Sequence, residues 1–92
     1  MKDLGAIRGE IDQIDDALAD LLKRRLEIVG DIVAAKRENG VPVSDPRRES
    51  EIIARVAGRV GPGNEDAARV LFTTLFGITK ARQTAIMSGG LK

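Results

Sequence analysis

The 92-residue chain carries fifteen basic and fourteen acidic side chains, a net charge of +1, with no cysteine, no histidine and two aromatic residues, Phe72 and Phe76. That inventory excludes disulfides, thiolate metal sites and imidazole acid–base or metal chemistry, and it offers neither the basic surplus nor the stacking platform of a nucleic-acid binder. No apolar run reaches membrane-spanning length and Met1-Lys2-Asp3 does not begin a signal peptide, so a single small domain over 1–92, soluble and cytoplasmic, is expected.

Apolar residues recur at Leu4, Ile7, Ile11, Ile14, Leu18, Leu21, Ile28, Ile32 and Ala35. The steps are three and four, the seam of an α-helix packed on other helices. They predict one helix over about 4–39, capped by Asp3 and ended by Asn39-Gly40, with Pro42 preventing its resumption. Gly5, Gly9 and Gly30 each weaken it by about 1 kcal/mol relative to alanine, so packing must hold it straight. Between Leu21 and Ile28 the seam is broken by Arg25. Lys36, eleven residues on and close to three full turns, points almost the same way. Two cations along one apolar seam suggest a buried anion site.

Thirty-six helical residues span about 54 Å, whereas a compact globule of this length is about 32 Å across. A second copy is therefore expected alongside the first. Arg8, seventeen residues before Arg25, lies about 100° away around the axis. On its own it reads as a solvated arginine; in an intertwined dimer it has the reach to serve the partner's site.

Asp45-Pro46 starts a second helix, over about 46–60, with a carboxylate cap and a proline in the first helical position. Ile52, Ile53, Val56 and Val60 should turn inward. Arg48 and Glu49 fall in the first turn, where surface charge is the simpler reading. Gly61-Pro62-Gly63 ends this helix. Asn64 is the expected cap of a third, over about 65–87, whose Glu65 and Asp66 suit its positive end. Leu71, Phe72, Leu75, Phe76 and Ile78 form its apolar face. Thr79 and Gln83 stand one turn apart on the Phe72–Phe76 side and need partners, either in another helix or in a ligand. Residues 88–92 read as a frayed tail.

In this order and spacing the chain resembles the small all-helical chorismate mutases, from Ile7 to Gln83. The resemblance rests on Arg8 in Ile7-Arg8-Gly9-Glu10-Ile11-Asp12, Arg25 in Leu21-Leu22-Lys23-Arg24-Arg25 and Lys36 in Ala34-Ala35-Lys36. It continues through Val43-Ser44-Asp45-Pro46-Arg47-Arg48-Glu49 and closes with Thr79 and Gln83 in Ile78-Thr79-Lys80-Ala81-Arg82-Gln83. It implies an all-α fold of three helices, one long, one short and one medium, in an intertwined helical-bundle homodimer. It also implies the Claisen rearrangement of chorismate to prephenate, on the path to phenylalanine and tyrosine, with no cofactor, no metal and no covalent intermediate.

By the same resemblance, Arg25 and the Arg8 of the other chain bind the substrate carboxylates, as a guanidinium fork does well. Lys36 and Gln83 look like the ammonium and amide that face the ether oxygen. Glu49 resembles the acceptor of the ring hydroxyl, with Asp45 nearby, and Arg48 the arginine that braces that end. Thr79 stands where the family usually has serine and is expected to contact a carboxylate. Two other readings share these residues: an isochorismate–pyruvate lyase on the same scaffold, and a noncatalytic helical dimer acting as a regulatory module. The second requires acids to pair Arg25 and Lys36. Association with a larger shikimate-pathway enzyme is compatible with all three.

Overall fold

The computed structural model describes residues 3–40 and 42–89. Three helices account for most of them: α1 (Leu4–Asn39), α2 (Pro46–Arg59) and α3 (Glu65–Met87). Among the described residues there is no strand, and no helix is long and apolar enough to cross a membrane. Of the tail expected over 88–92, Ser88 and Gly89 form a turn and the rest lies outside the described residues.

The helix ends follow from local chemistry. The Asp3 carboxylate accepts from the Ala6 amide at 2.7 Å, satisfying one of the free amides of the first turn. Gly40 takes the left-handed conformation, φ 66°, and its amide closes the last turn of α1; a Cβ there is unfavourable, which is why glycine is used. Asp45 caps α2 through the Arg48 amide at 3.2 Å. α2 ends at Arg59, with Val60 as its C-cap. Asn64 departs from expectation: its side chain makes no cap bond to α3 and instead donates to the Val60 carbonyl at 2.9 Å. It finishes α2 while its own backbone carbonyl, accepting from Ala68, begins α3.

α3 packs on both other helices, while α1 and α2 do not pack on one another. The C-terminal half of α3 lies along the last third of α1. Arg25 meets Thr79 at one end of this contact, and Arg37 reaches the Met87 carbonyl at the other. The core is small: Val29 and Val33 of α1, Val56 and Ala57 of α2, Ala68 and Phe76 of α3. Phe72 meets Phe76 edge-to-face, centroids 6.4 Å apart, a favoured aromatic geometry.

Most of the α1 seam is not in that core. Every residue from Leu4 to Arg24 is exposed, including Ile14 and Leu21 at about three-fifths of their surface. Ile28 and Ile32 are also largely open, because the side chains buried by this chain, Val29 and Val33, sit one residue further round. Val60, Leu71 and Ile78, expected to face inward, are exposed as well. The cause is geometric. α2 and α3 reach only the C-terminal third of a helix that sets the molecule's 56 Å long dimension.

Candidate active site

A cavity of about 570 Å³ opens among the last third of α1, the first half of α2 and the middle of α3. Its apolar wall comes from Ile28, Val29, Ile32, Ile52, Phe72 and Phe76. Each lies on the face its helix turns towards the others, so the packing that builds the core also leaves this hollow.

Seven of the eight residues singled out from the sequence line it. α1 contributes Arg25 and Lys36; α2 and the residue before it contribute Asp45, Arg48 and Glu49; α3 contributes Thr79 and Gln83. The eighth, Arg8, does not. It lies seventeen residues up α1 from Arg25, about 25 Å along the axis, on the exposed part of the helix.

The polar contacts define what each group has left to offer. An Arg25 guanidinium nitrogen donates to the Thr79 hydroxyl oxygen, and that hydroxyl donates to the Leu75 carbonyl at 2.9 Å. A hydroxyl has one hydrogen, so Thr79 acts here as an acceptor that holds Arg25. Lys36 gives one of its three N–H donors to the Val43 carbonyl at 2.9 Å, which ties the α1–α2 loop to the rim. Among the described residues no carboxylate pairs with Arg25 or Lys36. Arg48 has only a loose, exposed pairing with Glu51 at 3.8 Å.

Gln83 is 3% exposed, and its Oε1 is buried without a hydrogen-bond partner among the described residues. A buried amide oxygen left unpaired costs about 1–3 kcal/mol; this oxygen is an acceptor, and the amide's donors are on Nε2.

Two charged lining residues escaped the sequence reading, Arg55 and Lys80. The signal was present in the spacing. Arg48, Ile52 and Arg55 are a helical i, i+4, i+7 set on α2, as are Phe76, Lys80 and Gln83 on α3. Lys80 forms an ion pair with Glu49 at 2.8 Å. The lining therefore holds five cations (Arg25, Lys36, Arg48, Arg55, Lys80) against two carboxylates (Asp45, Glu49), a surplus of three. A partly enclosed, apolar-walled space with that surplus suits a small organic dianion. Among the described residues no cluster of acids could hold a metal ion.

The sequence model of a family described as chorismate mutase type II matches residues 7–84. The chain is 42% identical over 52 residues to a T-protein from Enterobacter agglomerans, covering 56% of this chain and 14% of that one. It is 36% identical over 53 residues to a chorismate mutase from Methanocaldococcus jannaschii, covering 58% and 54%. It is 38% identical over 52 residues to a 3-dehydroquinate dehydratase from Pyrobaculum aerophilum, covering 56% and 17%. The aligned stretch thus spans less than two thirds of each relative. No solved structure gives a significant match.

Proposed function

This chain belongs to the type II chorismate mutase family, and we propose that it rearranges chorismate to prephenate in a cavity completed by a second copy of itself. The observation that carries the reading is the pair of cations, Arg25 and Lys36, left without acid partners among the described residues in a cavity that Gln83 also lines. A noncatalytic bundle has no use for this. Partly buried cations that serve only the bundle are expected to have carboxylates within reach.

Chorismate brings two carboxylates, a ring hydroxyl and an enol-pyruvyl ether, and must fold into a chair-like conformer before it reacts. Arg25, steadied by Thr79, binds one carboxylate with a guanidinium fork. Arg8 is too far along its own helix to serve its own cavity. The partner's α1, laid against the exposed seam, brings the equivalent guanidinium to the other end of the substrate. Glu49 accepts from the ring hydroxyl, with Asp45 nearby and Arg48 bracing that end. Fixing the folded conformer removes rotational freedom before the bond changes begin.

In the pericyclic step the C–O bond breaks ahead of C–C formation and negative charge gathers on the ether oxygen. Lys36, with two N–H donors still free, and the Gln83 amide stabilise that charge more than they stabilise the neutral ether. They act therefore on kcat. All electrons needed are in the substrate, so the protein supplies conformation and electrostatics, and no group of the chain forms a bond to it.

In two of the relatives the matching stretch is 14% and 17% of a much longer chain, which supports the expectation that this module works joined to, or beside, a larger enzyme. The direct test is the loss of chorismate absorbance on adding purified protein, with the product identified as prephenate by its acid conversion to phenylpyruvate. Rearrangement supports the reading; intact chorismate, or release of pyruvate, overturns it.

A further inference from the structure

Lys80 has no part in the roles just described, yet at the cavity it joins two helices by charge. Its ammonium lies 2.8 Å from Glu49 Oε2, with the two side chains 37% and 27% exposed. The other ion pairs among the described residues differ in kind. Arg47–Glu51, Arg48–Glu51 and Arg69–Asp66 each join residues three or four apart on one helix, in more exposed settings. Exposed pairs of that sort contribute little.

We infer that Lys80 is a positioning residue for Glu49: it holds one carboxylate oxygen against α3 so that the other accepts the ring hydroxyl of the substrate. The inference rests on the reading of the cavity as a chorismate site. Glu49 shares its space with Arg25, Lys36, Arg48 and Arg55, and with Asp45 at the start of its own helix. An unheld carboxylate in that company is drawn to the nearest free cation. Arg25 is among these cations and binds a substrate carboxylate in this reading, so a wandering Glu49 both leaves the hydroxyl unbound and competes for that position. Lys80 prevents this. It offers Glu49 a partner on α3 and leaves Arg25 and Lys36 unpaired. Only Oε2 is engaged, which leaves Oε1 to accept from a hydroxyl, the arrangement a carboxylate needs to bind two donors at once.

The arrangement also sets specificity. A charged acceptor fixed in place and partly desolvated discriminates against a ligand without the hydroxyl, because its acceptor is then left unmatched. The experiment compares kcat/KM on chorismate with that on an analogue lacking the ring hydroxyl, in the parent chain and in Lys80→Met, Lys80→Arg and Glu49→Gln. The parent is expected to prefer chorismate by roughly tenfold or more, the scale of one hydrogen bond to a charged acceptor. Lys80→Met should lose most of that preference, through KM more than kcat and on chorismate alone, while Lys80→Arg keeps it. Glu49→Gln, which leaves Lys80 in place, should give the same collapsed ratio and so reports even if Lys80→Met is poorly folded. A Lys80→Met chain that keeps the parent's ratio, or loses activity equally on both compounds, overturns the inference. A parent that leaves chorismate unchanged overturns the functional reading itself and the role of Lys80 with it, a result distinct from an active parent with an unmoved ratio.

Discussion

The two ends of α1 carry the same apolar rhythm and meet opposite fates. From Arg25 to Arg37 the helix lies against α3, buries Val29 and Val33, and lends Arg25 and Lys36 to a cavity. From Leu4 to Arg24 every residue is exposed, although Ile7, Ile11, Ile14, Leu18 and Leu21 keep the seam going without a break. Periodicity reports that a surface needs a partner; it does not say which chain supplies it. Such a stripe on an isolated protein is large enough to demand cover. The stripe also carries Arg8, which the cavity lacks. In the proposed reading a second copy, laid in a twofold arrangement, covers both stripes and delivers both arginines.

The largest effects should arise where the C-terminal region does chemistry. Lys36→Ala removes the proposed donor to the ether oxygen and is expected to lower kcat by about 10²–10³-fold, the usual cost of one such donor. Comparable loss in KM alone would place Lys36 on substrate binding and not on the reacting oxygen.

Gln83→Glu sharpens the same point by pH. An amide donates at any ordinary pH, whereas a carboxyl donates only while protonated, and an isolated glutamate titrates near ~4.3. Activity of the variant should therefore fall as pH rises, over a range in which the parent is nearly flat, and the loss should lie mainly in kcat. A variant that matches the parent at pH 8 returns Gln83 to a purely structural role.

Stability separates the two ends of α1 more quietly. Val29→Ala, at a residue 1% exposed, should cost about 2 kcal/mol at any protein concentration, since the chain itself buries the side chain. Ile14→Ala, at a residue 59% exposed, should cost less, and its effect on the unfolding midpoint should shrink as the protein is diluted below its dissociation constant, because in the proposed dimer the surface it trims is buried only on association. Equal concentration dependence at the two sites would erase the distinction between them.

The sequence made the helices legible because their boundaries are chemical: Asp3, Gly40, Asp45-Pro46 and Gly61-Pro62-Gly63 act within a few residues of themselves. Part of the site was legible for a related reason. Arg25 to Lys36 and Thr79 to Gln83 lie close to whole turns of one helix, so spacing sets each pair on one face, whereas Asp45, Arg48 and Glu49 were singled out by the family resemblance. What spacing does not give is the pairing between helices. The Arg25–Thr79 and Lys80–Glu49 contacts depend on how α3 docks, and Lys80 and Arg55 read as ordinary surface cations until that docking is known. Ile28 and Ile32 were expected in the core where Val29 and Val33 are found, because the seam and the α3 contact differ by a fraction of a turn. Asn64 stands at the N-cap position of α3 as expected, but its side chain bonds the Val60 carbonyl and so closes α2; both uses put asparagine in the same short loop.

The most direct test of a cavity shared between two chains is a mixing experiment. Arg8→Ala and Arg25→Ala chains should each be nearly inactive alone. After subunit exchange, a twofold dimer of one chain of each kind carries both lesions in one site and leaves the other intact, so activity should recover to about one quarter of the parent level. No recovery, with exchange verified by a mass tag on one chain, would contradict the supply of Arg8 from the second copy.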